Sequence, residues 1–250
     1  IIKKTGFDKS KYFMQPIGYN MNSLGKIIDT LIDYEIEHPM EYLFKDVEVP
    51  FMKVLKEAYP ERFLIEEDRI NFDYIYNTDD LIKLSGRKYH GQKNHYNSFI
   101  KSYNYRIVPI TKEVVTDCIS AAREWCYKND CSDFLLYELY AIEEILINRT
   151  ELDFEHMAVY VNGKLSAFTI GEKVNKNMGI VHIEKADNSI NGLYNFINKS
   201  FVETCFSDVP FINREQDLGI EGLRHAKESY HPCRLEPKYS VKIKNMGVLH

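Results

Sequence analysis

The sequence predicts a mixed α/β fold built as two lobes, residues 1–104 and 105–250. Apolar residues at helical spacing alternate with short strand-like runs along the whole chain. Asn162-Gly163 sits between two apolar runs, Met157–Val161 and Leu165–Ile170, and supplies the positive φ angles of a type I′ hairpin. The order of elements in the second half is echoed in shortened form by the first, as in a degenerate duplication whose first copy has lost its opening elements. At 250 residues and 44% hydrophobic composition, the chain can bury a substantial core.

In the first lobe, Tyr12–Ile17 reads as a strand ending at Gly18. A helix follows over Leu24–Ile36, with apolar residues at Leu24, Ile27, Ile28, Leu31 and Ile32. Tyr42–Val47 is a strand, and Pro50 suits the first turn of a helix over Phe51–Tyr59. Ile70–Ile75 is a further strand, and Thr78 caps a short helix to Ser85. The second lobe opens with the strand Tyr105–Ile110. Thr111 caps a helix with the stripe Val114, Val115, Cys118, Ile119, Ala122, Trp125 and Cys126, and a second helix spans Phe134–Ile147. After the hairpin come the strand Gly179–Glu184, the helix Leu193–Phe206 and the strand Phe211–Asn213. A helix over Leu218–His231 and a closing strand Tyr239–Ile243 complete the order.

The net charge of −5 argues against a generic nucleic-acid coat, but the charge is unevenly spread. Leu81–Lys112 contains no Asp or Glu, while it holds Lys83, Arg87, Lys88, Lys93, Lys101, Arg106 and Lys112, with His90, His95 and four tyrosines interleaved. Such a window is either a solvated helix face or a contact for a phosphate-bearing partner. Five cysteines without a C-x-x-C pair favour reduced thiols and a cytoplasmic setting over a disulfide framework or zinc site. No run of about 18 apolar residues is available to span a membrane. The chain opens Ile1-Ile2 in what reads as mid-domain, which predicts a segment upstream. Nucleophile-elbow, phosphate-loop and zinc-protease motifs are lacking, so no metal is expected.

The run Asn213-Arg214-Glu215-Gln216-Asp217 places five polar or ionisable residues at a strand end, where packing alone does not explain them. Strand alternation puts Asn213 and Glu215 on one face with Arg214 opposite, and puts His182 on the face of Glu184. Glu184, at the carboxyl end of its strand, is a candidate general base or the partner of Lys185 or a neighbouring arginine. His182 reads as a satisfied core or supporting histidine, and Asp217 as a helix N-cap. Arg224 could grip a carboxylate or phosphate in bidentate fashion, and Tyr230 could donate to a developing oxyanion. Lys227 lies on the same helix.

The element order is that of a GNAT-like acyltransferase. The run from Asn213 to Arg224, continuing to Lys227, Ser229-Tyr230 and Pro232, resembles the signature of the phosphatidylglycerol lysyltransferase C-terminal domain family. Ala167–Glu172, His182–Ala186, Leu84–His90 and Asn94-His95 match the same family, in the right order and over essentially the whole chain. The resemblance implies kinship with enzymes that move an aminoacyl group from aminoacyl-tRNA to a lipid head group. Gln92-Lys93 stands where the family usually shows Lys-Arg. Asp187–Gly192 carries one glycine where acetyltransferases of this fold carry a Gln/Arg-x-x-Gly-x-Gly/Ala turn for the CoA pyrophosphate. Both acyl-CoA and aminoacyl-tRNA stay open as donors, the former with an incomplete cradle.

The resulting expectation is acyl or aminoacyl transfer to an amine or hydroxyl. Glu184, Asn213, Glu215, Arg224 and Tyr230 would carry the chemistry, while Arg87, Lys88, His90, Lys93, Arg214 and Lys227 hold the substrates. The rival is a non-catalytic module that binds a small anion in the same cleft. Donor, acceptor and oligomeric state are not legible.

Overall fold

A computed structural model describes residues 1–6, 10–128 and 133–244. The elements in chain order begin with strands β1 (Lys3–Thr5) and β2 (Lys11–Phe13), helix α1 (Met21–Glu37), β3 (Phe44–Glu48), α2 (Val49–Ala58) and β4 (Phe63–Glu67). Then follow β5 (Asp73–Asn77), α3 (Thr78–Lys83), α4 (His90–Ser102), β6 (Tyr105–Val108), α5 (Lys112–Lys128) and α6 (Asp133–Ile147). The last stretch holds β7 (Glu155–Val161), β8 (Lys164–Asn175), β9 (Met178–Ala186), α7 (Leu193–Cys205), β10 (Phe211–Asn213), α8 (Glu221–Glu228), β11 (Arg234–Glu236) and β12 (Lys238–Ile243).

Two compact units form, divided differently from the 104/105 boundary. The first comprises Ile1–Asp73, Gln216–Gly219 and the chain from Glu236 onward; the second comprises Tyr74–Glu215 and Ile220–Leu235. In the first unit a five-stranded sheet runs β1-β2-β3-β12-β4. Helix α1 opens with a capping box, Asn20 Oδ1 accepting from the Ser23 amide at 2.9 Å. Its buried stripe of Leu24, Ile28 and Leu31 packs with Phe44, Val47, Phe63 and Val241, each such burial stabilising by about 1.5–3 kcal/mol. The strand over 239–243, expected in the second lobe, thus completes the first sheet instead.

The second unit is a seven-stranded sheet, β11-β5-β10-β9-β8-β7-β6. The β7–β8 hairpin turns on Asn162 (φ 50) and Gly163 (φ 85), as its sequence requires. One apolar cluster joins the sheet to α7 through Tyr74, Val181, Phe201 and Ile212. Another joins the opposite face to α5 and α6 through Cys118, Ile142, Phe168 and Ile183. The basic window runs from the end of α3 through α4 and β6 to the first residue of α5, and α4 packs on α7 through Phe99 and Phe196, with ring centroids 4.5 Å apart.

Several local expectations need correction. Asn77, not Thr78, occupies the cap position of α3, and the Thr78 hydroxyl is buried without a partner. Asp217 does not cap α8, which starts four residues later at Glu221. Its carboxylate accepts from the Gly219 amide at 2.8 Å and faces Arg69 at 3.1 Å, fixing a turn in which Leu218 and Gly219 both have positive φ. Cys126 is disulfide-bonded, because a cysteine count says nothing about which thiols a helix end brings within bonding reach. Cys118, Cys205 and Cys233 are free, while Cys131 lies outside the described residues.

Candidate functional site

The site begins with the parting of β9 and β10. These parallel strands pair only at Phe211↔Met178, Ile212↔Gly179 and Asn213↔Ile180. Beyond Ile180, β9 runs on to Ala186 without this neighbour, because β10 ends at Asn213. A bulge adds to the divergence: Ile170 pairs with Ile183 but Gly171 with Val181, so His182 is an extra residue in β9. Strict alternation fails there. Val181 packs in the α7-side core, Ile183 in the α5/α6-side core, and Glu184 turns back to bond Asn198 on α7. His182 and Glu184 therefore do not share a face, contrary to expectation.

On the α7 side, Arg214 reaches across the gap and its Nη2 donates to Glu184 Oε1 at 3.0 Å. Asn198 Nδ2 donates to Glu184 Oε2 at 3.0 Å, so both carboxylate oxygens are engaged. The pair is 14% and 10% exposed, and its guanidinium lies 5.7 Å from the Tyr76 ring and 5.1 Å from the Tyr230 ring. Burial works against the Arg214 charge, but Glu184 outweighs it and holds the guanidinium in its cationic form. Arg214 Nη1 and Asn198 Oδ1 are buried with no hydrogen-bond partner among the described residues. Such atoms are costly unless a water or ligand meets them. Burial, helped by Glu184 and opposed by Arg214, pushes the Tyr230 hydroxyl up to about 12. It accepts from Asn195 Nδ2 at 2.7 Å, leaving its own proton available to donate.

On the other side of the gap, His182 Nδ1 lies 2.7 Å from Glu215 and Nε2 lies 3.0 Å from Glu172. Burial alone would pull the imidazole down, but the hydrogen bonds and charges of Glu215 and then Glu172 raise its pKa above 6.5. Adjacent residues Arg214 and Glu215 thus serve opposite sides. The turn between them is held by Asn213 Oδ1, which accepts from the Glu215 amide at 2.6 Å, with Glu215 at φ 56. Lys227, 8% exposed, donates to the carbonyls of Arg214 and Glu215.

Since the folded-state pKa of His182 lies above 6.5, its stabilisation is fully present below that value. It is lost as pH rises through the folded pKa. Urea midpoints of the wild type should therefore fall more over that window than those of His182→Gln.

The structure assigns the expected residues unequally. Glu184, Arg214 and Tyr230 meet, and Glu215 joins His182. Glu184 accepts one hydrogen bond on each oxygen, from Asn198 and from Arg214, and so orients Arg214. Asn213 and Lys227 shape the backbone rather than facing a substrate, because their polar atoms are turned to the chain itself. Arg224 is half-buried on α8, while the residue that holds Glu184 is Arg214. Asn195, Asn198, Tyr76 and Glu172 were missed, since no spacing in the sequence ties α7, β5 or β8 to the strand end. Burial pushes the Cys118 and Cys205 thiols up to about 12, which leaves no thiolate nucleophile there at neutral pH. Among the described residues, no group of His, Cys, Asp or Glu could hold a metal ion, and no helix is long and apolar enough to cross a membrane.

Of the basic window, Arg87, Lys88, His90 and Lys93 are all exposed. Arg87 and Lys93 make no ion pair among the described residues, while Lys88 lies 3.9 Å from Asp80 and His90 lies 3.4 Å from Asn94. The α4 backbone also closes on the start of α7. A Cβ at Gly192, which has φ 78, would lie 2.1 Å from the His95 carbonyl oxygen. The His95 carbonyl of α4 therefore lies against Gly192, the residue that precedes α7.

A conserved protein of unknown function from Bacteroides thetaiotaomicron is 36% identical, with a TM-score of 0.85 over 94% of this chain and 80% of that one. The structure of L-PGS from Bacillus licheniformis aligns over 98% of this chain and 85% of that one, with a TM-score of 0.62 at 13% identity. An uncharacterized protein of Mycoplasmoides gallisepticum is 27% identical over 186 residues, and the chain spans 72% of its own length and 58% of that relative's. The fold is GNAT-like, and the family described as phosphatidylglycerol lysyltransferase, C-terminal, matches residues 1–242. The chain belongs to the phosphatidylglycerol lysyltransferase C-terminal family.

Proposed function

We propose that the chain transfers an aminoacyl group from a phosphate-bearing donor, aminoacyl-tRNA, to an amine or hydroxyl acceptor. The supporting observation is the set of uncommitted polar atoms around Glu184: donors at Arg214 Nη1 and the Tyr230 hydroxyl, and an acceptor at Asn198 Oδ1. An ester carbonyl accepts from the first two, while an α-ammonium donates to the third. A plain acyl thioester satisfies only the donors. The single glycine in Asp187–Gly192 also gives acyl-CoA an incomplete cradle.

In the reaction the acceptor nitrogen or oxygen attacks the ester carbonyl carbon. Its proton is given up in that step, and the developing oxyanion is met by Arg214 and Tyr230. The ester C–O bond to the donor ribose then breaks, and the proton goes to that leaving oxygen. No covalent enzyme intermediate is needed, so positioning carries much of the rate. Arg87, Lys88, His90 and Lys93 hold the donor's phosphates. The family's description makes a lipid head group the first acceptor to try.

Transfer from labelled aminoacyl-tRNA is the test. Tyr230→Phe should lower turnover by about 10²–10³ with folding still cooperative. Lys88→Ala with Lys93→Ala should weaken donor binding and flatten the log K against log salt slope by about 1.5. Binding of small anions only, indifferent to both lysines, would instead return the chain to a non-catalytic module.

A further inference from the structure

Tyr230 is held from several sides. Its ring lies 5.1 Å from the Arg214 guanidinium, and its hydroxyl accepts from Asn195 Nδ2 at 2.7 Å. A further hold is on its main chain. Helix ends leave carbonyls without intrahelical partners, and those at the end of α8 are met one after another. Ala226 accepts from the Ser229 hydroxyl at 2.7 Å, Lys227 from the Tyr76 hydroxyl at 2.8 Å and Glu228 from the His231 amide at 2.8 Å. The next carbonyls are met from the basic segment. Gln92 Nε2 donates to Ser229 at 2.8 Å, and the Tyr89 hydroxyl lies 3.2 Å from the Tyr230 carbonyl. His231, at φ 51, places its Nε2 3.0 Å from the Lys88 carbonyl and its ring centre 5.4 Å from that of Tyr89.

These holds are interleaved with the charges. Arg87, Lys88, His90 and Lys93 are exposed, whereas Tyr89 is buried and Gln92 half-buried. The same short segment therefore offers its cations to solvent and its inner side chains to the seat of Tyr230. Burial, then the charge and hydrogen bond of Asp80, push the Tyr89 hydroxyl up to about 12. Asp80 thus competes for the one proton that this hydroxyl can give, which makes the Gln92 amide the firmer hold.

We infer, resting on the aminoacyl transfer proposed above, that Gln92 is a positioning residue for Tyr230. It fixes the chain at Ser229, so that a donor engaged on the basic segment meets the Tyr230 hydroxyl already set against the ester carbonyl. Gln92 itself touches no reacting atom. Its effect passes through Tyr230, which gives it a kinetic signature that a general loss of stability lacks.

With aminoacyl-tRNA as donor, Gln92→Leu should lower kcat by about tenfold or more and leave the donor KM nearly unchanged, because small misplacements of a reacting group are costly. Lys88→Ala with Lys93→Ala should act in the opposite sense, mainly on KM. In a Tyr230→Phe background, Gln92→Leu should lower kcat no further, since the hydroxyl it positions is gone. Gln92→Lys keeps an N–H donor on a stem of similar reach and should restore most of the turnover. Urea denaturation checks that every variant unfolds cooperatively. An unchanged kcat in Gln92→Leu, an equal further loss in the Tyr230→Phe background, or a loss confined to donor KM would each overturn the inference while wild-type transfer, and with it the proposed function, stands. Absence of transfer by the wild type would overturn both.

Discussion

Replacing Arg214 by Ala is expected to lower the unfolding free energy by about 3–5 kcal/mol, because Glu184 is left buried without its counter-charge. Urea denaturation followed by circular dichroism measures this. Asn198 still bonds Glu184, but a neutral amide replaces none of the lost charge. The double change Arg214→Met with Glu184→Leu should recover most of that stability, since removing both charges removes the unpaired ion. Transfer should be lost in both variants. That combination separates the two consequences of the pair: its charge balance governs folding, whereas its unmatched Nη1 serves the substrate. Equal instability of the single and double variants would refute the unpaired-charge explanation. Arg214→Lys, which keeps a charge but loses the planar fork, should fall between them in stability and still fail in transfer.

Gly192→Ala is the second large effect expected. At φ 78 a side chain strains the backbone by about 1–3 kcal/mol. The new methyl would also stand 2.1 Å from the His95 carbonyl and 3.1 Å from Phe99 Cβ, so α4 must move. Because the far contact is main chain, rotamer adjustment cannot relieve it. Thermal unfolding should show the loss, and amide hydrogen exchange should quicken along His90–Ser102. If α4 presents the donor's phosphates, donor affinity should fall together with its protection from exchange. Normal protection in a destabilised variant would mean that the strain is absorbed within α7.

Most of the second unit's architecture was legible because local rules suffice for it. The hairpin at Asn162-Gly163, the strand at Phe211–Asn213 and the helical stripes of α5 and α7 follow from turn chemistry and periodicity. The polar cluster at the end of β10 was legible as a candidate for the same reason: charge at a strand end has few bland explanations. What was hidden depends on contacts distant in sequence. A one-residue bulge at His182 reversed its face relative to Glu184, and no residue preference marks a bulge reliably. Arg214 rather than Arg224 holds Glu184 because β10 stops where β9 continues, a fact of pairing rather than of composition. The engagement of both Glu184 oxygens depends on Asn198 from a helix whose register against β9 cannot be read from either segment. The paired β12 was missed as part of the first sheet for a like reason, since strand neighbours in space need not be neighbours in the chain.

The position of β12, between β3 and β4, sets a timetable for synthesis. A nascent chain can form α1 and α2 early, yet both β3 and β4 present open edges until residue 243 has left the ribosome. The first unit is therefore finished only after the second has been made, and a premature stop anywhere before β12 leaves β4 cut off from the rest of its sheet. Quality control in the cell should meet such products as sticky, edge-exposing chains rather than as shorter folded proteins.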